Sequence, residues 1–525
     1  QWREFDALVD KFKVPYFYLV GNHDIWSKSA GEIYTELHGP RYYSFDAGRG
    51  TGLIHVIVLD SEEYHMVGGK GSLGEAQISW LEQDLAKSKD ASLTVIALHN
   101  PVWHNPQRND WAKVDELLAG RNAIVFAGHE HSYTYEVRRG IPYVIVAAVA
   151  GGLDEEADEV LGAFRHVALV TVEDGKPYVA LVKLGAAVPI DTAPLSTWLH
   201  IDKIRTVSRL DYLPAEPRVD QLITIVWDLE NAQGTPTAIR GTWPEGSAWQ
   251  VEPAGFAATL APNERRKVEF TGRLLLKDAA EPPTMHVEFS WPDTDVPAAH
   301  LNWQAQPLRR LEAAKVATIE VNGRNDRAWS ETQRTTLDSA RQFGKGFANW
   351  TGPKDLSARV RAVTDGPKLY LLAEVTDDDI QLDKDQLTFG LAPAVPDKVV
   401  TASARSFYRF KVLPPKADGQ VPVRWTAKGR LEATAAARRS KTGWTVEVAM
   451  DVTPLIKDAG GAVVLPFDFM IDDTDAGEPQ ATEAYWSGGA DSLRTTRQWG
   501  QLSIPAEAVA AAHAAATQET PPAAE

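Results

Sequence analysis

Four short apolar runs near the start of the chain each lead into a side chain able to bind a cation. Val14–Val20 leads into Gly21-Asn22-His23-Asp24, and Ile54–Leu59 into Asp60. Leu93–Leu98 leads into His99-Asn100-Pro101, and Ala123–Ala127 into Gly128-His129-Glu130-His131. Runs of this length between amphipathic helices read as strands of an α/β domain. One such helix sets Ile78, Leu81 and Leu85 on a single face, with Ser72 and Glu75 placed as a capping box. A second carries Trp111, Val114 and Leu118. In open α/β sheets the carboxyl ends of the strands share one edge, and sites form there. The polar residues should therefore meet, and their chemistry is that of a metal site. Imidazole plus amide oxygen suits iron, manganese or zinc. The chain has no cysteine, which excludes disulfides, thiol catalysis and Cys-ligated zinc. His129 and His131 can both face inward only on an irregular backbone, which Gly128 permits.

The ordered set GNHD, lone strand-end His, GHEH resembles the calcineurin-like metallophosphoesterase superfamily, which includes purple acid phosphatases and cyclic-nucleotide phosphodiesterases. The resemblance covers about residues 1–180, and Leu73-Gly74-Glu75-Ala76-Gln77 with Trp80-Leu81 is similar to the family's GxxQxxWL helix. It implies that Asn22, His99 and His129 bind one metal and His131 the other. It also implies that His23 meets the phosphate and assists the leaving group, with Asp24 orienting it. Two divalent or trivalent ions (Fe, Mn or Zn) would activate a water for in-line attack on a phosphate mono- or diester. Trp103 and His104, just past the lone His, are candidates to line the substrate pocket. The family's D-x-H and GDxx(D/Y) motifs precede GNH(D/E), and this sequence, opening at Gln1, does not contain them. The expectation is an N-terminally truncated, nearly inactive domain without the carboxylate that bridges both metals. Asp6 and Asp10 fit the exposed face of an opening helix better than they fit that role.

Other polar residues here read as structural. His38, His55 and His65 have no motif partner. Asp60 reads as a turn or cap residue, Glu130 as facing away from the ligands, and Asp154 to Glu159 as a solvated acidic loop.

Beyond residue 185 long helical patterns vanish. Residues 186–204 read as a linker. Residues 205–300 carry short strand-like runs and read as a β-sandwich. Trp243-Pro244-Glu245-Gly246, Trp249 and Leu260-Ala261-Pro262-Asn263-Glu264 resemble the Ig-like sandwiches attached to secreted glycosidases, which implies a spacer. Residues 301–316 read as a connector, helix-like through Leu308, Leu311 and Ala314. Residues 317–505 read as a second sandwich, and 506–525 as a disordered or frayed tail.

The second sandwich opens on Ile319-Glu320-Val321-Asn322-Gly323, followed by Asp326 and Trp329. Leu369-Tyr370 leads on to Val375, Asp377 and Asp378. Together with Asp385, Asp472, Asp473, Asp475 and Trp499-Gly500, these residues resemble family-9 carbohydrate-binding modules and DOMON-like domains. That resemblance implies aromatic rings stacked on sugar faces, and calcium at the aspartates. Trp486 is the first candidate for stacking and Trp350 the second, whereas Trp329 and Trp499 read as core.

The formal charge of −17 leaves no broad positive field for nucleic acid. No apolar run reaches membrane-spanning length. The fold class expected for the 525 residues is multidomain: an incomplete α/β metallophosphoesterase sandwich followed by two all-β sandwiches. The function expected is a metal-dependent phosphoesterase with a carbohydrate-binding-like module, acting in the extracellular space, in the periplasm or at the cell surface. Its partners would be a phosphate ester and a polysaccharide or cell-surface glycan. The alternatives are a glycan-binding protein on a non-catalytic phosphoesterase-like scaffold, and a structural surface protein.

Overall fold

The computed structural model describes residues 2–25, 27–62, 71–106, 109–149, 159–276, 281–316, 319–330, 332–344, 347–393, 407–427, 429–456, 459–476, 481–488, 496 and 498–518. His65 and the stretch Asp154–Asp158 of the acidic run lie outside them.

The front domain is built on a six-stranded sheet, in the order Tyr43–Ala47, Ile54–Val58, Leu93–Ala97, Ala123–Ala127, Ile141–Ile145, Thr134–Arg138. The four inner strands are parallel and both edge pairs antiparallel. Parallel strands carry all their carboxyl ends to one edge, which places Asp60, His99 and the 128–131 loop together. The helix Glu75–Lys87 buries Ile78, Leu81 and Leu85 against this sheet, as its periodicity requires. Its buried Gln77 clamps the chain just past the first inner strand, Ile54–Val58: Oε1 accepts from Asp60 N and Nε2 donates to Asp60 O, both at 2.8 Å. The capping box does not form. Gly74 is the N-cap, and Ser72 Oγ reaches Asp110 instead.

The run Val14–Val20, expected as a strand, forms none. It pairs with no strand among the described residues, and Val14 and Phe17 are exposed. A second sheet, Val167–Glu173, Lys176–Lys183 and Ala186–Pro189, packs Leu181 against Tyr133, Val144 and Phe164. The stretch read as a linker is therefore ordered. Its first residues are the last strand of this sheet, and Leu195–Val207 is a helix whose Ile201 and Ile204 join the core of the next domain.

That next domain is a sandwich of a five-stranded and a four-stranded sheet around Ile225, Trp227, Phe270, Met285 and Phe289. The rear domain is a larger sandwich of two seven-stranded sheets, its core filled by residues such as Leu371, Phe389, Phe410, Trp444, Phe467 and Phe469. Full burial of each such side chain contributes roughly 1.5–3 kcal/mol.

The connector is not helical. Gln306–Pro307 pairs in parallel with Arg209–Leu213 of the middle sandwich, Arg310–Glu312 with Gly500–Ile504, and Ala314–Lys315 with Leu356–Thr364. Within ten residues the chain joins three sheets, so apolar positions that scan as helical serve as strand positions. The expected tail also needs correction. Ala506–Gln518 is a helix, and its Ala508, Val509 and Ala512 are buried in the rear core.

Candidate metal centres

At the carboxyl edge of the front sheet, three of the expected ligands meet. His99 Nε2 lies 2.8 Å from Asn22 Oδ1 and 3.3 Å from His129 Nδ1. Gly21 makes this possible: a Cβ there would stand 3.0 Å from His99 Nδ1. The 128–131 loop is tied back by Gly128 N donating to His99 O. His129 and His131 both take left-handed backbone angles, φ 72° and 58°. Non-glycine residues rarely sit there, and such strain is held by surrounding contacts. Glu130, between them, turns to His104, with Oε1 3.0 Å from Nδ1. It faces away from the ligands and anchors the loop.

Burial, followed by the neighbouring His129, His23 and His131, pushes His99 down to about 4. It is therefore a neutral imidazole with a lone pair to give. His23 and His131 are near enough to act on His99, but no hydrogen bond brings either into the Asn22–His99–His129 contact. Among the described residues Asp24 makes no hydrogen bond to His23, although the two are near enough to interact electrostatically. Asp24 Oδ2 accepts from Gly21 N at 2.8 Å, so it closes the turn that carries His23, and burial raises its pKa. Among the described residues no Asp or Glu joins His99 and His129 in a three-residue cation cluster.

Trp103 is not a pocket residue. It is 1% exposed, packed against Trp111 and Tyr143, with Nε1 donating to Glu136. An apolar residue two positions past Pro101 was as compatible with core as with pocket. His104 does reach the surface beside the loop. His55 bridges Asp46 and Asp84 at 2.7 and 2.9 Å, while Asp60 accepts from Glu62 N and pairs with Arg41.

The rear sandwich brings together a second set. Asp377 ends the strand Lys368–Asp377, Asp385 immediately precedes Gln386–Leu391, and Asp473 ends Val463–Asp473. The first belongs to one sheet and the other two to the facing sheet. One carboxylate oxygen from each lies within 4.8 Å of the other two, and all three residues are buried. Burial first, then mutual repulsion, pushes Asp377 up to about 7 and Asp473 up to about 9. Burial likewise pushes Asp385 up to about 6, against two backbone N–H donors, Gln381 and Thr474. Asp473 is 4% exposed, and its Oδ1 has no hydrogen-bond partner among the described residues. A buried carboxylate with an unpaired oxygen, clustered with two other buried carboxylates, fits an oxygen-liganded cation such as calcium.

The sequence had grouped Asp472, Asp473 and Asp475. Strand alternation separates Asp472, which bonds Gln386, from Asp473, and Asp475 lies past the strand end, where it joins Asp355 and Asp378.

The expected stacking residues do not form a platform. Trp486 is 0% exposed, stacked on Phe469 at 5.6 Å, with Nε1 donating to Thr335. The Gly/Ser segment that made it look exposed is fastened by Asp468, which accepts from Ser487 N and Gly488 N. Trp350 is half-buried, stacked on Phe343 at 4.2 Å, and donates to Leu356 O. Trp329 and Trp499 are buried.

Residues 1–133 match the family model of the calcineurin-like phosphoesterase, so the chain carries a phosphoesterase-family domain at its front. No curated protein matches the chain. Among solved structures it is similar to a family 9 carbohydrate-binding module from Caldicellulosiruptor kristjanssonii in complex with cellotriose. The identity is 14%, with 38% of this chain and 94% of that chain covered, at a TM-score of 0.31. The same module in complex with glucose gives 14%, 37% and 94%, at 0.31. A β-glucosidase from Erythrobacter marinus gives 10% identity over 45% of this chain and 38% of that chain, at 0.14. Likenesses this distant speak to neither ligand nor activity.

Proposed function

We propose that the front domain is a metal-dependent phosphoester hydrolase site, with Asn22, His99, His129 and His131 as metal ligands and His23 as the residue that meets the phosphate. The meeting of Asn22 Oδ1, His99 Nε2 and His129 Nδ1 at one point carries this reading. Bound iron, manganese or zinc ions would supply Lewis-acid polarisation of the phosphoryl group. The chain's own residues do the rest. Gly21 and Asp24 shape the turn that presents Asn22 and His23, and the His104–Glu130 contact holds the strained loop bearing His129 and His131. With no carboxylate among the described residues joining the histidines, this chain binds metal weakly and turns over slowly.

The rear domain, on this reading, holds calcium between Asp377, Asp385 and Asp473 and serves glycan attachment outside the cytoplasm. The orphaned Asp473 Oδ1 supports the calcium assignment. The motif resemblance to family-9 modules supports the glycan.

The test is hydrolysis of p-nitrophenyl phosphate and its bis ester by the manganese- or zinc-loaded chain, beside His99→Ala and His23→Ala. Slow, metal-dependent turnover lost in both variants is the expected result. Turnover indifferent to metal or to His99 would refute the assignment.

A further inference from the structure

We propose that the cleft between the middle sandwich and the rear module binds a neutral saccharide of single-ring size. The cleft has a volume of about 160 Å³. One wall comes from the middle sandwich and its preceding helix, through Arg205, Arg209, Asp211, Trp303, Gln304 and Gln306; the rear module supplies Gln498.

Arg209 and Asp211 answer each other's charge. Nε and an Nη of the guanidinium donate to the two carboxylate oxygens at 3.0 and 3.1 Å. The same guanidinium donates across the junction to Trp499 O at 3.3 and 3.4 Å, fixing the two walls together. Trp303 stands half-buried, its ring edge-on to Trp227 at 5.6 Å. Among the described residues, neither the Trp303 indole N–H nor the Gln498 amide makes a hydrogen bond. Gln306 uses only its Nε2, to Gln304 O at 3.4 Å, which leaves Oε1 as an acceptor.

These uncommitted groups are uncharged, and they include donors and acceptors beside an indole. Sugar hydroxyls, each donor and acceptor at once, and the C–H face of a ring match that set. The cleft is also preformed. The connector pairs with the middle sandwich at Gln306–Pro307 and with the rear sheet at Arg310–Glu312, so its walls are held a few residues apart along one chain. A site that need not be ordered on binding keeps more of its interaction energy as affinity.

This goes beyond the glycan reading of the rear module and does not require it. The experiment is ligand-observed NMR on the full chain with glucose, galactose, mannose and xylose, and with inorganic phosphate as a separate arm. Wild type is set beside Gln306→Ala and Gln498→Ala, two changes outside the cores, and beside Trp303→Phe, which keeps an aromatic ring and removes the indole N–H. At least one sugar should bind, and each variant should weaken it about fivefold, the effect of one lost hydrogen bond. Sugar binding that all three variants leave unchanged would place the glycan site elsewhere and overturn the cleft, while leaving the glycan reading intact. No sugar bound, or phosphate bound in its place, would also overturn it.

Discussion

The two candidate metal centres are both built from residues at strand ends, yet they are opposite in character. The front one is open. His129 and His131 are exposed, their loop is strained, and the ligand at its centre is a neutral imidazole. The rear one is closed, with three buried carboxylates from two facing sheets and an oxygen left without a partner. An open neutral site loses little when empty and can exchange substrate. A closed acidic site carries uncompensated charge when empty, so its cation acts on folding. The first arrangement suits chemistry and the second suits a staple.

Stability offers the sharpest contrast. Calcium at about one hundred times its Kd should stabilise the rear domain by about 2.7 kcal/mol. For a domain of that size the shift is about 5–10 °C in Tm. Calorimetry with calcium and then with chelator checks this. Asp473→Asn should abolish the gain while leaving the metal-free protein at least as stable as wild type, because it removes the cost of burying an ionisable carboxyl that must take up a proton to fold without metal. An equal calcium gain in the variant would dissolve the distinction between the centres.

The pH dependence follows from the same aspartates. Their folded pKa values, about 7, 6 and 9, lie above those of an unfolded aspartate, so the folded state binds more protons in between. Stability of the metal-free rear domain is therefore greatest in acid and falls as pH rises from about 4 towards 9. Calcium should flatten that fall, and its effect on Tm should grow with pH. Denaturant titrations across this range measure both.

A smaller effect should separate the front site further. His104→Ala releases Glu130 and with it the strained loop, and should weaken metal binding about tenfold, the scale of an outer-shell partner. His104→Gln, which can still donate to Glu130, should recover most of the loss. Thermal stability should barely move in either variant, unlike the response at the rear.

Much of the front site was legible because each ligand follows an apolar run, and the parallel sheet sends the runs before His99 and His129 the same way; the run before Asn22 joins no strand among the described residues. The aspartates were visible as separate motif residues. Their grouping was not, because it depends on which sheet each strand joins, and neighbours on one strand, Asp472 and Asp473, point to opposite faces. The tryptophans misled for a related reason. Trp486 lies in a Gly- and Ser-rich segment, and the hydrogen bonds that Ser487 N and Gly488 N donate to Asp468 fasten that segment with the ring turned inward. The connector fooled periodicity because its pairing partners lie far away in sequence, at Arg209–Leu213 and Gly500–Ile504.

The central claim is that an amide oxygen and imidazole nitrogens at the front edge hold a cation together. Cobalt(II) titrated into the calcium-saturated protein tests it most directly, because its visible absorption reports nitrogen ligation while calcium fills the carboxylates. The account expects a saturable band in wild type that is lost in His99→Ala and weakened in Asn22→Ala. The same band in all three proteins, or none in wild type, would contradict it.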